Sequence, residues 1–199
     1  MISTRTILRR MILGRLNLGR LNLRGLILRG LGPLAVIAPL LAVSACTQAD
    51  DYTLPQKICG RAIEPAKLKP LLPSGSEFAE KHDSDSSSSV CEISVDKKPA
   101  LYVKEFKNQE KFDVMDFATQ RTGKFRDPEK IGIGEDAVVS DSALLLATTC
   151  TEKKNANQYI LDIESVTGNG SDGQRKDLES FATAYLPTGF AAMGCTAKP

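Results

Sequence analysis

The chain has 199 residues, 42% of them hydrophobic and 25% charged, with a formal net charge of +2. That near-neutral figure hides two unlike parts: residues 1–45 hold seven arginines (Arg5, Arg9, Arg10, Arg15, Arg20, Arg24, Arg29), no lysine and no acid, so the 154 residues beyond them carry 19 basic side chains against 24 acids, a net charge of about −5. A mildly acidic domain of this size has no electrostatic reason to bind nucleic acid or anionic lipid, where a basic patch is expected.

The first element is a leader. Fifteen apolar or small residues, 31–45, follow the arginines, with Pro33 and Pro39 among them. A membrane-spanning helix wants about 20 apolar residues, so the basic flank and short apolar run over residues 1–45 read as a secretory signal peptide. Its arginines stay on the cytoplasmic side while the rest crosses. At its end, Val43-Ser44-Ala45-Cys46 resembles the lipobox of bacterial lipoproteins. The resemblance implies cleavage between Ala45 and Cys46 and a diacylglyceryl group on the Cys46 sulfur, which anchors the protein to the outer face of the cell membrane. Acyl burial stabilises by about 0.8 kcal/mol per CH₂, and stable anchoring takes two chains. The bland alternative is an ordinary secreted protein with a chance cysteine at its cleavage site. Arg9-Arg10-Met11-Ile12-Leu13 also fits a twin-arginine export signal, but a later translation start, at Met11, is the preferred reading.

After cleavage, residues 46–57 read as the lipidated Cys46 and a polar tether, and residues 58–199 as a single domain. Pro65 suits the first position of a brief helix that puts Leu68, Leu71 and Leu72 on one face, with Pro70 and Pro73 keeping it short. Residues 77–96 predict two strands around a polar loop. In the second strand Cys91, Ile93 and Val95 alternate with Glu92, Ser94 and Asp96, which points Cys91 inward. Asp96-Lys97-Lys98-Pro99 turns the chain into a strand over 100–106, and 108–123 predicts a helix ending at Gly123. Residues 131–150 give a loop and a hairpin whose second strand is apolar enough to be central. Another strand follows over 158–166, with Tyr159, Leu161 and Ile163 on one side. Leu178, Phe181, Ala182, Tyr185 and Leu186 form one stripe of a closing helix, with Ser171 and Gln174 as its capping box and Pro187 and Gly189 as its stop. The sum is an α+β domain: an antiparallel sheet of about five to six strands with two to three helices.

Past Cys46 stand Cys59, Cys91, Cys150 and Cys195, an even number that in an exported chain reads as two disulfides. Four cysteines allow three connectivities. Cys59–Cys91 with Cys150–Cys195 is preferred, because neighbours in sequence then staple the front and back halves separately. Zinc is the rival use, but no pair has C-x₂-C spacing and His82 is the only histidine. No metal or other cofactor is expected.

The remaining motifs are weak. Cys59-Gly60 before the Pro-containing helix, the Gly132-Ile133-Gly134-Glu135-Asp136-Ala137 turn and the closing Gly194-Cys195 make the mature chain similar to small secreted lipoproteins of actinobacteria that have no assigned function. A tryptophan frequent after the second cysteine of related domains is missing, and the likeness brings no activity with it. Gly132-Ile133-Gly134 lacks the further glycines and the following helix of a phosphate loop. His82 and Asp83 lie beside the Ser84–Ser89 stretch, where a loop does not supply the rigid convergence of a catalytic triad. Glu135, Asp136, Asp141, Asp162 and Glu164 are the acids that a fold would have to bring together for acid–base chemistry or calcium. Gly168–Gly173 lacks the ligand density of a calcium loop. The reading is therefore a lipid-anchored extracytoplasmic protein with no catalytic residue assigned, whose domain binds an unknown protein or small molecule and no nucleic acid. A cell-envelope hydrolase and a protease inhibitor are the alternatives.

Overall fold

Two left-handed dipeptides set the hairpins. In the computed structural model, which describes residues 51–151, 157–166 and 172–197, β1 (Lys57–Ile58) and β2 (Arg61–Ala62) pair antiparallel across Cys59 and Gly60. Both turn residues have positive φ, 53° and 72°, the type I′ geometry whose twist matches the flanking strands. Asp96 and Lys97, at 50° and 63°, do the same between β4 and β5. After β2, α1 (Pro65–Leu68) runs into a 3-10 turn, Lys69–Leu71, and together they bury Leu68 and Leu71.

Among the described residues the main sheet has seven strands: β3 (Phe78–Ser84), β4 (Ser88–Val95), β5 (Lys98–Gln109), β6 (Glu129–Ile131), β7 (Asp136–Val139), β8 (Ala143–Thr149) and β9 (Gln158–Ser165). Their order is β3-β4-β5-β9-β8-β7-β6, antiparallel throughout. Two meanders thus meet where β5 pairs with β9. α2 (Val114–Thr119) lies in the crossover between the meanders, and α3 (Asp172–Ala192) follows the last strand. This is an α+β fold.

The two helices cover opposite faces. Leu101, Val103, Leu144, Leu146, Leu161 and Ile163 point to the inner face and pack with Leu178, Phe181, Ala182, Tyr185 and Leu186 of α3. Val138, Leu145 and Ala147 point outward and pack with Val114 and Ala118 of α2. Because β8 is covered on both sides, its whole ALLLAT run is buried, which is why it reads as a central strand. Full burial of a Leu, Ile or Phe side chain stabilises by about 1.5–3 kcal/mol. α3 therefore docks mainly through its stripe.

Several elements differ from the sequence expectation. Residues 51–57, read as the end of a tether, are packed: Tyr52 and Leu54 rest against the core, and the Tyr52 hydroxyl donates to the Pro73 carbonyl at 2.7 Å. The helix expected over 108–123 shrinks to Val114–Thr119. Pairing of β5 with β9 extends to Gln109, and Asp113 caps the late helix start by accepting the Asp116 N–H at 2.7 Å. The three-residue β6, too short to show alternation, takes the sheet to seven strands. Pro187 lies inside α3 instead of stopping it. Proline removes one N–H, while Phe190 and Met193 beyond it are held in the core and Cys195 is tied to Cys150, so the helix continues to Ala192. The proposed Ser171 cap lies outside the described residues; the side chain of Gln174, its partner in that reading, donates to Ser165 Oγ at 2.9 Å.

Candidate functional site

Four cysteines place the two staples. Cys59–Cys91 and Cys150–Cys195 form disulfides at sequence separations of 32 and 45, the pairing between sequence neighbours. The first ties the β1–β2 turn to β4 and the second ties the end of α3 to the end of β8. Ala45 and Cys46 lie outside the described residues.

Alternation along β5 puts a charge in the core. Leu101, Val103 and Glu105 face α3, while Tyr102, Lys104 and Phe106 face outward, and Glu105 is fully buried. Its Oε2 lies 2.9 Å from Arg61 Nη2 and accepts from Arg61 Nε at 3.1 Å. Tyr159 donates to Oε1 at 2.9 Å and Tyr185 to Oε2 at 3.1 Å. Burial first, and the Glu105 charge second, push both phenols above their ordinary ionisation range. α3 approaches so closely here that a Cβ on Gly189 would lie 2.5 Å from Glu105 Oε1 and 2.8 Å from the Tyr159 hydroxyl. Arg61 also donates to the Cys59 carbonyl at 3.2 Å. One satisfied ionic cluster therefore joins the β1–β2 turn, the sheet and α3. With Glu105 sealed from solvent, the cluster fastens these three elements together. The sequence signal was available: Glu105 continues the inward series of Leu101 and Val103.

The opposite side of the same strand is open. A groove of about 660 Å³ lies on the outer sheet face beside α2. Phe106, Leu145 and Ile160 contribute its sheet side, and Phe112 and Phe117 the helix side, with ring centroids 5.3 Å apart. Arg121 stacks on Phe117 at 4.0 Å from the ring centroid, and Lys104 and Glu110 add charge. Asp162, also lining the groove, accepts from Lys124 at 2.6 and 2.8 Å, and the same ammonium reaches Glu164 at 3.2 Å. The sequence shows the cations without showing that a crossover helix brings the phenylalanines to them.

The flagged residues have structural partners. His82 and Ser89 sit on paired strands rather than in a loop, with Nε2 and Oγ 2.9 Å apart. Asp83, one residue on, belongs to the other face of the sheet and cannot orient that imidazole, and Ser89 is buried. The serine run is ordered by Asp85, whose Oδ1 accepts the N–H groups of Ser87 and Ser88 at 2.6 and 2.7 Å. Those N–H bonds hold its carboxyl down at about 2. Glu135 accepts the Thr149 N–H at 3.1 Å, Asp136 the Val114 N–H at 3.1 Å, and Asp141 pairs with Arg175 at 2.8 Å. These acids serve separate elements rather than one cleft. Gly134 is a turn residue, φ 64°, close against Leu146. The Cys59 and Cys91 sulfurs and Glu80 lie within 4.8 Å of one another, but sulfurs joined in a disulfide offer no thiolate ligand. Among the described residues no helix is long and apolar enough to cross a membrane. No family model, curated protein or solved structure matches the chain.

Proposed function

We propose that this chain is an extracytoplasmic lipoprotein, cleaved before Cys46 and held to the cell membrane by acyl chains on that residue, whose domain binds a ligand in the outer groove. The observation that carries the reading is the cysteine arithmetic. Of five cysteines, four close two disulfides within the domain, and the fifth is the one at the leader boundary. Disulfides of this kind persist in oxidising compartments, which supports export. A lipobox cysteine is consumed by acylation rather than by pairing. The groove supports binding because it combines the surfaces of three phenylalanines with charged side chains, the usual make-up of a small-molecule site.

Fractionation of cells tests the anchor. The parent protein is expected in the envelope pellet and to resist a salt wash, and Cys46→Ala is expected to lose that attachment. A Cys46→Ala variant that pellets as the parent does would refute lipid anchoring at this residue.

A further inference from the structure

We infer that the outer groove binds a small aromatic monoanion, its ring on the phenylalanine surface and its carboxylate between Arg121 and Lys104. The inference deepens the proposed binding role and rests on it. Four charged groups line the groove: Lys104, Arg121, Glu110 and Asp162. Asp162 is engaged by Lys124 at 2.6 Å, an ammonium it shares with Glu164 at 3.2 Å. Among the described residues neither Lys104 nor Arg121 has a carboxylate within ion-pair distance. Lys104 and Arg121 are thus the two groove cations that a ligand carboxylate can meet.

The shape of the site selects the rest of the ligand. Phe106, Phe112 and Phe117 present ring surface, which a planar aromatic body covers with offset or edge-to-face contacts. Arg121 stacks on Phe117, 4.0 Å from the ring centroid. A guanidinium held over a ring keeps its N–H edge available for a carboxylate, which it meets with two parallel hydrogen bonds. Lys104 lies on β5 two residues from Phe106, on the same face, so charge and ring are presented together.

Equilibrium dialysis of labelled 2-naphthoate tests the assignment, using the membrane-extracted protein in phosphatidylcholine nanodiscs with empty nanodiscs as the blank. One saturable site per chain is expected. Arg121→Gln and Lys104→Gln are each expected to weaken it about tenfold, as loss of a charge-assisted hydrogen bond does, and uncharged 2-naphthylmethanol is expected to bind at least about tenfold more weakly than 2-naphthoate. Both side chains lie at the surface, and unchanged urea midpoints will show that the variants fold. Absence of saturable uptake at millimolar ligand overturns the inference, as does binding that both variants leave unchanged. A dimer that Phe106→Asp dissociates, with no naphthoate bound, overturns it too and gives the groove to a second copy. Mass measurement on the same sample separates the two readings: acylated protein that binds nothing refutes the ligand site alone, and unacylated protein that binds refutes the anchor alone.

Discussion

Glu105 shows how one side chain can decide the arrangement of three elements. Its carboxylate is fully buried and is met by Arg61, Tyr159 and Tyr185, so the charge is matched and its oxygens are satisfied. A buried pair of this kind does not outperform a well-packed apolar replacement, but breaking one member is costly. Glu105→Gln leaves Arg61, only 10% exposed in its side chain, without its counter-charge. The expected loss is about 3 kcal/mol, read as a lower urea midpoint at unchanged m-value. The two phenols add a pH dependence. Their folded-state pKa is raised, by burial first and then by the Glu105 charge, so ionisation favours the unfolded chain. The stability they protect is whole below about pH 10, where a free phenol titrates, and is lost as the pH rises further. Urea midpoints measured up to high pH are expected to fall above that value. Tyr185→Phe is expected to flatten the fall, and an equal fall in this variant would contradict the account.

Among the elements, α3 is where sequence reading and structure part most instructively. The apolar stripe from Leu178 to Leu186 was legible because it repeats at the helical period and packs on the inner sheet face. The stop at Pro187 was not, because its cost is local while the packing that overrides it comes from Phe190, Met193 and the Cys150–Cys195 link. Gly189 likewise reads as a terminator in the sequence, although its role is to let α3 approach Glu105. Pro187 is exposed, so Pro187→Ala is expected to restore a helical hydrogen bond without disturbing the core. Its gain of about 3 kcal/mol in helix propensity is partly offset by the freer unfolded chain, leaving about 2 kcal/mol of added stability in urea unfolding. A destabilised variant would mean that proline shapes the helix. Period-2 strands were readable where one face meets the core, as in β4 and β9. The three-residue β6 and the short α2 were not, since register with β7 and the reach of β5 define them, and neither is written locally.

For the molecule as a whole, the cysteines were the most legible feature and the groove the least. Four cysteines pair in the order that staples each half, and the strand alternation already turned Cys91 inward. The groove needed the crossover from β5 to β6, which lays Phe112, Phe117 and Arg121 over strand residues far from them in sequence. That crossover is a tertiary fact. By the proposal above, this stapled domain is exported and carries its anchor on Cys46. Intact-mass analysis of the membrane-extracted protein, with and without reduction, tests it most directly. The expected species begins at Cys46, carries the added mass of acyl chains, and gains four hydrogens on reduction as two disulfides open. A species that retains residues 1–45, or one that begins at Cys46 with no added lipid, would contradict the claim.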